Sequence, residues 1–267
     1  MMKSAKEVSL DAKILGMVSG RVHKAAEIIV ADDELQQLQD YANAVSIKRL
    51  EFNDHGPVHM RKVAINALKM LSLLKDAGII LNVEKDAGGD FEDSMIVVLI
   101  AGFIHDIGMS IGRENHEQMG ALLAGNILDR ILGQIYPDDM RKKVVAKAMI
   151  TECVVGHMAT QKVYSLEAGV ILVADGCDME KGRARIPMML HPDAKVGDIH
   201  KYSSAAVETV KISRGESRPV RITVEMKESV GFFQIEEVLF RKINSSSIKP
   251  YIELYAGVIG QEMKCYL

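Results

Sequence analysis

The chain has 267 residues, 48% of them hydrophobic and 26% charged, and its 33 Lys and Arg against 36 Asp and Glu give a formal charge of −3. This is the profile of an ordinary globular protein with one large domain, or one plus a small appendage, and it offers no broad basic surface for nucleic acid or an anionic membrane. The apolar run Ile96–Ile104, with Gly102 inside it, falls far short of the roughly 20 residues that cross a bilayer. Charges scattered through the amino terminus exclude a secretory signal, so no membrane partner and a cytoplasmic location are expected. Three cysteines, Cys153, Cys177 and Cys265, form no CxxC pair and argue against both a disulfide framework and a cysteine-based zinc site.

Up to about residue 185, apolar residues recur with the helical period and predict a mostly α body. Asp32, Asp33 or Ser46 could cap helices in the first 50 residues. The turn cluster Asn53-Asp54-His55-Gly56-Pro57 leads into a helix whose apolar stripe runs from His59 to Leu71, its proline suited to the first turn. Residues 86–90 read as a surface loop, and 91–107 as a buried central helix. Asn115 precedes a helix through Leu132, Asp138-Asp139 opens one running to about Gly156, and a last core helix begins at Leu166 and runs to about Met179. Beyond 185 the texture changes. Residues 219–226 alternate apolar and polar side chains as a half-exposed strand does, 234–243 read as a helix, and 251–258 as a second strand. The fold class expected is mainly α with a small C-terminal α+β segment. It divides into an N-terminal helical segment over 1–49, a central domain over 50–185 and the α+β segment over 200–267. That segment is small for an independent core and should pack on the body or on a second subunit, as in a homodimer.

Two features point to one site. His105-Asp106 closes the most hydrophobic helix, where an unpaired charge is costly; a divalent cation, bound directly by imidazole nitrogen and carboxylate oxygen, would neutralise it. His59 on the preceding apolar helix and Asp175 inside Val170–Gly176 add a second imidazole and a second core carboxylate. Ligands from three helices could then meet at one point.

His59, His105-Asp106 and Asp175 resemble the H…HD…D signature of the HD superfamily of metal-dependent phosphohydrolases, with a histidine 46 positions before the pair and a core aspartate 69 positions after it. The likeness covers roughly residues 50–185, implies an HD-type helical bundle there, and extends to His116 and His157, at the places where dinuclear members carry further ligands. By that resemblance His59, His105 and Asp175 hold one metal, His116 and His157 a second, and Asp106 bridges the two. The GYP motif of cyclic-di-GMP hydrolases is missing, and Met109 stands where many of them have lysine.

What the resemblance implies is hydrolysis of a phosphoester or phosphoanhydride of a nucleotide or other small phosphorylated metabolite, with a metal-activated water as nucleophile and Asp106 central to the chemistry. Four histidines and two aspartates suit two Fe, Mn, Co or Ni ions better than Mg. Arg113 and the run Lys181, Arg183, Arg185 are candidate phosphate contacts, and Arg113 and His55 candidate participants in catalysis. Blander readings stand beside these. The arginines and lysine are also ordinary solvated charges, His55 a structural residue, His116 a surface histidine and His157 a helix-end residue favoured by the dipole. Three other functions stay open: a nucleotide-binding regulator with little turnover, a cyclic-(di)nucleotide phosphodiesterase, and an interaction scaffold recognisable by an exposed apolar patch at Phe232, Phe233, Leu239 and Phe240.

Overall fold

Every residue from Asp93 to Ile104 is buried. A helix with no polar face must be surrounded by others, and that requirement organises the protein. The computed structural model describes residues 3–180 and 199–267. Its helical body comprises α1 (Ala5–Met17), α2 (Gly20–Val30), α3 (Asp33–Lys48), α4 (Pro57–Asp76), α5 (Asn82–Ala87), α6 (Phe91–Ile104), α7 (His116–Ile135), α8 (Met140–Gly156) and α9 (Leu166–Gly176). The central α6 packs against α2, α4, α5, α8 and α9. Together with the 3-10 turn that follows it, Phe91–Ser110 is long and apolar enough to cross a membrane, which the shorter run noted in the sequence understates; 94% of that stretch's most apolar window is buried inside the protein.

After α10 (Ile199–Ala206) the chain forms a mixed sheet in the order β1 (Val207–Arg214), β2 (Val220–Met226), β3 (Ile252–Val258), β4 (Lys264–Cys265). β1 and β4 are antiparallel to their neighbours, whereas β2 and β3 are parallel. Parallel neighbours need a crossover, supplied by a helix over 232–245 (α11) whose middle turn, Ile235–Leu239, is π-helical. In β2 the apolar Val220, Ile222, Val224 and Met226 are all buried, on the period of two that the sequence carries. The sheet contacts α4 through β1 and β2, and α11 lies on α9, so both parts share one apolar core. The protein is mainly α with a small C-terminal α+β portion.

Polar groups in the interior fix how the helices meet. Arg61 of α4 is 1% exposed. Its Nε donates to Asp11 of α1 at 2.6 Å, its Nη atoms to Gln36 and Gln39 of α3, and its guanidinium lies 5.1 Å from the Phe103 ring centre of α6. A buried cation with this many acceptors ties four helices together and would be severely destabilising if left without its carboxylate. At the other end of α6, Asp93 completes a capping box with Asp90 and pairs with Arg21 of α2 at 2.6 Å, Lys142 of α8 at 2.8 Å and the Tyr136 hydroxyl at 2.9 Å. Glu167, fully buried, accepts from the Asn82 and Val83 amides and from Ser94, while Asn82 accepts from the Leu166 amide. The amino ends of α5 and α9 thus cap each other.

Several expectations shift by local physics. Asp32 caps α3 through the Leu35 amide, but Ser46 lies inside that helix, with its hydroxyl on the Asn53 carbonyl and the His55 ring. The loop expected over 86–90 shortens to Gly88–Asp90, because α5 runs through Ala87 and is closed by Gly88 in the left-handed conformation, its N–H donating to the Val83 carbonyl. α6 stops at Ile104 and α9 at Gly176. The apolar patch expected of a scaffold is not exposed: Leu239 is buried, and Phe232 and Phe240 pack partly buried against the core.

Two stability predictions follow from the polar ties. Asp11→Ala, by stranding the buried Arg61 charge, lowers unfolding stability by about 3 kcal/mol in denaturant titration. For Asp93, burial opposes ionisation, but Lys142, the Asp90 amide, Arg21 and Tyr136 outweigh it and hold the carboxyl below its ordinary value. A depressed folded-state value gives stability that is fully present above the unfolded value of about 4 and lost as pH falls through the folded one. Asp93→Asn is therefore destabilising at pH 7 in thermal unfolding, and its difference from wild type shrinks as the pH drops below about 4.

Candidate metal centre

The six residues singled out as ligands come from five separate elements and their flanking turns, yet the structure brings them together. His59 lies in the first turn of α4, where Pro57 occupies the opening helical position. His105 caps the C-terminus of α6, and Asp106 leads into the 3-10 turn Ile107–Ser110. His116 opens α7 after Asn115, which takes the left-handed conformation that asparagine tolerates. His157 caps α8, and Asp175 sits in the last turn of α9. Two glycines allow the approach. A Cβ on Gly102 would lie 2.7 Å from the Ala64 backbone, so α4 and α6 touch there, a turn or so from His59 and His105. A Cβ on Gly108 would lie 1.8 Å from the His116 carbonyl, so the 3-10 turn rests directly on the start of α7.

The ligand atoms form two groups that share Asp106. In the first, Asp106 Oδ2 is 3.2 Å from His59 Nε2 and 3.3 Å from His105 Nε2, and the two nitrogens are 3.1 Å apart; Asp175 Oδ1 stands beside this group, 3.2 Å from His59 Nε2 and 3.9 Å from His105 Nε2. In the second, Asp106 Oδ1 is 3.3 Å from the Nε2 atoms of both His116 and His157, which are 3.1 Å apart. Donor atoms about 2.1 Å from one cation at octahedral or tetrahedral angles are separated by about 3.0–3.4 Å, so these spacings fit a divalent ion in each group. All six residues are buried.

The imidazole orientations support the same fit. His105 Nδ1 donates to the Gly102 carbonyl at 3.0 Å, His116 Nδ1 to Arg113 at 2.9 Å and His157 Nδ1 to Val154 at 2.6 Å, each three residues back along the chain. His59 Nδ1 instead meets Asp178 Oδ2 at 2.8 Å, and Asp178 Oδ1 accepts from Lys62 at 2.7 Å. A neutral imidazole that donates from Nδ1 offers Nε2 as a lone pair, the form in which histidine binds metal, and such partners orient metal-binding histidines.

Charge in the centre follows from burial and close partners. Burial opposes the ionised form of Asp106, but the His105 and His55 rings and hydrogen bonds from His105 and His116 hold its carboxyl well below the usual range. Asp175 is likewise opposed by burial and held well below that range, first by the Lys242 ammonium and then by His59. His157 is pushed down to about 4 by burial, whereas Asp106 raises His116 despite its burial. A divalent cation must displace any proton held between two such rings.

The centre opens into a cavity of about 770 Å³ whose lining includes Asp106, Asp175, His55, Arg113, Arg241 and Lys242. His55 is held by its Nδ1 on the Asn53 carbonyl at 2.6 Å, and Arg113 lies 5.5 Å from the Phe52 ring centre between the sulfurs of Met109 and Met158. Among the described residues no carboxylate pairs with Arg113. Glu51 and Ala159, both lining the cavity, have positive φ angles of 56° and 60°, strain of the kind that clusters at functional sites. Lys181, Arg183 and Arg185 lie outside the described residues.

Reading the sequence alone missed Asp178, Lys62 and Lys242. The first two carried a signal, since Asp178 follows Asp175 and Lys62 follows His59 by three residues, about one helical turn. Lys242 carried none. It comes from α11, more than sixty positions after Asp175, and reaches the centre only because the C-terminal portion folds back on α9.

The uncharacterized protein MJ1020 of Methanocaldococcus jannaschii is 36% identical to the chain over 249 residues, covering 93% of this chain and 94% of that protein, and the chain belongs to the same family. No family model matches the chain, and no solved structure matches it. The buried histidine and aspartate groups are compatible with a metal-dependent hydrolase. Asp178→Asn, which weakens the partner that orients His59, is expected to lower affinity for a divalent cation by about 10–100-fold, read by competition with a chromogenic chelator, with the fold intact by circular dichroism.

Proposed function

We propose that the protein is a metal-dependent phosphohydrolase of the HD type, with two divalent cations in its centre, acting on a phosphoester or phosphoanhydride of a nucleotide or other small phosphorylated metabolite. The observation that carries this reading is the commitment of all four imidazoles: each spends its Nδ1 proton on a fixed oxygen, so that four Nε2 lone pairs and both oxygens of Asp106 converge beside an open cavity. A donor set rich in imidazole favours Fe, Mn, Co or Ni, whereas Mg prefers oxygen. When bound, such cations make a water nucleophilic near neutral pH and stabilise charge on a phosphoryl group.

The chain's own residues supply the rest. Arg113, with no carboxylate partner among the described residues and its planar head beside Phe52, is suited to a bidentate grip on a phosphate. His55, its Nδ1 fixed by Asn53, lines the cavity wall, where an imidazole can hold or pass a proton. Asp106 gives one oxygen to each ligand group and so fixes their separation. Both cationic and acidic groups line the cavity, which suits a small anion held at one end more than an extended polyanion.

The test is a screen of mononucleotides, cyclic mononucleotides, dinucleotides and other phosphorylated metabolites with Mn, Co, Ni, Fe and Mg. Release of phosphate or a phosphomonoester from at least one of them is expected, and Asp106→Ala should abolish it; release that survives Asp106→Ala overturns the mechanism. Protein purified without chelators should carry about two metal equivalents per chain, falling to about one when His116 and His157 are both replaced by alanine. Metal-loaded protein that binds nucleotides yet hydrolyses none is the regulator instead.

A further inference from the structure

One cation in the cavity is built in from the far end of the chain. Lys242 of α11 is 8% exposed. Its ammonium donates to Asp175 Oδ2 and to the His157 carbonyl at 2.8 Å, so it holds one candidate ligand through its side chain and another through its backbone. The approach is prepared by the chain. A Cβ on Gly176 would lie 3.1 Å from Lys242 Cδ and 3.2 Å from Leu239 Cδ1, so the residue after Asp175 leaves room for the lysine stem. The π turn Ile235–Leu239, which precedes Lys242 in α11, itself packs against α9. Beyond it, Ser246 and Ser247 hydroxyls bond the Gly169 and Ser165 carbonyls of α9 at 2.9 and 2.6 Å.

An ammonium carries three N–H donors. Asp175 and His157 take two, no third acceptor faces Lys242 among the described residues, and the side chain lines the cavity beside Asp106 and Asp175. We propose that Lys242 is a substrate-binding residue supplied by the C-terminal segment, its third N–H taking an anionic oxygen of the phosphoryl group while the other two stay on the His157 carbonyl and on Asp175, whose Oδ1 is turned to His59. The proposal rests on the phosphohydrolase reading and makes the C-terminal segment part of the active site.

Inorganic phosphate, the simplest product, is the probe. Its affinity is measured by calorimetry on full-length, Ni²⁺-loaded wild type, Lys242→Met and Lys242→Gln, with metal content and thermal midpoint determined on each. A charge-assisted hydrogen bond lost in Lys242→Met weakens phosphate binding roughly 10- to 100-fold with nickel retained. The same loss is expected in Lys242→Gln, whose amide keeps two donors for Asp175 and His157 but lacks the third donor and the charge; that variant decides the matter if Lys242→Met does not fold. Phosphate affinity within twofold of wild type in a folded, nickel-loaded variant overturns the proposal and leaves Lys242 a structural tether. If wild type itself binds no phosphate and hydrolyses no phosphorylated compound, it is the phosphohydrolase reading that fails.

Discussion

An imidazole that has given its N–H to a fixed acceptor can offer only a lone pair on its other nitrogen. Here four such rings turn their lone pairs toward one another and toward Asp106, with pairs of nitrogens 3.1 Å apart in a buried site. Without a positive charge between them that packing is repulsive, and a protonated ring or a bound cation must relieve it. Much of the fold can be understood as holding this arrangement. The buried α6 is fixed at the centre of the bundle, its C-terminus delivers His105 and Asp106, and close contacts at Gly102 and Gly108 bring α4 and α7 to them.

The support around these ligands comes in two kinds. His105, His116 and His157 are oriented by carbonyls three residues earlier, so their rings are set by the turn they sit in. At the ends of α6 and α8 the same bonds satisfy last-turn carbonyls that would otherwise lack a partner. His59 and Asp175 depend instead on distant parts of the chain, Asp178 with Lys62 for one and Lys242 for the other. The second kind of support links the centre to the assembly of the whole protein, because Lys242 arrives only when the C-terminal portion is docked on α9.

The polar interior remote from the centre plays a related part. Arg61 lies one helical turn from the start of α4 and is held by α1 and α3, which fixes the end of the helix that carries His59. Asp93 and Glu167 secure the opposite end of α6 and the start of α9. Each is a buried charge supplied with several hydrogen-bonding partners, the condition under which burying charge is tolerable. Anchoring beside His59 in α4 and at the far ends of α6 and α9 lets the ends that carry the candidate ligands meet within hydrogen-bonding distances.

The amino-acid sequence by itself determined the helical body, the strands β2 and β3, and the six histidine and aspartate positions that meet. Hydrophobic period and the placement of a His-Asp pair at the end of an apolar helix are local properties, so they can be read along the chain. β1 and α5 were not legible: β1 buries few of its side chains, and α5 is a short helix whose amino end is closed by Glu167 from another helix. Nor could the order of the sheet, the Asp178–His59 bond or the entry of Lys242 be read, since each joins residues tens of positions apart and depends on how surfaces dock. Tertiary structure alone decided that the C-terminal segment forms a wall of the cavity, because no local rule says which buried carboxylate a distant lysine will meet.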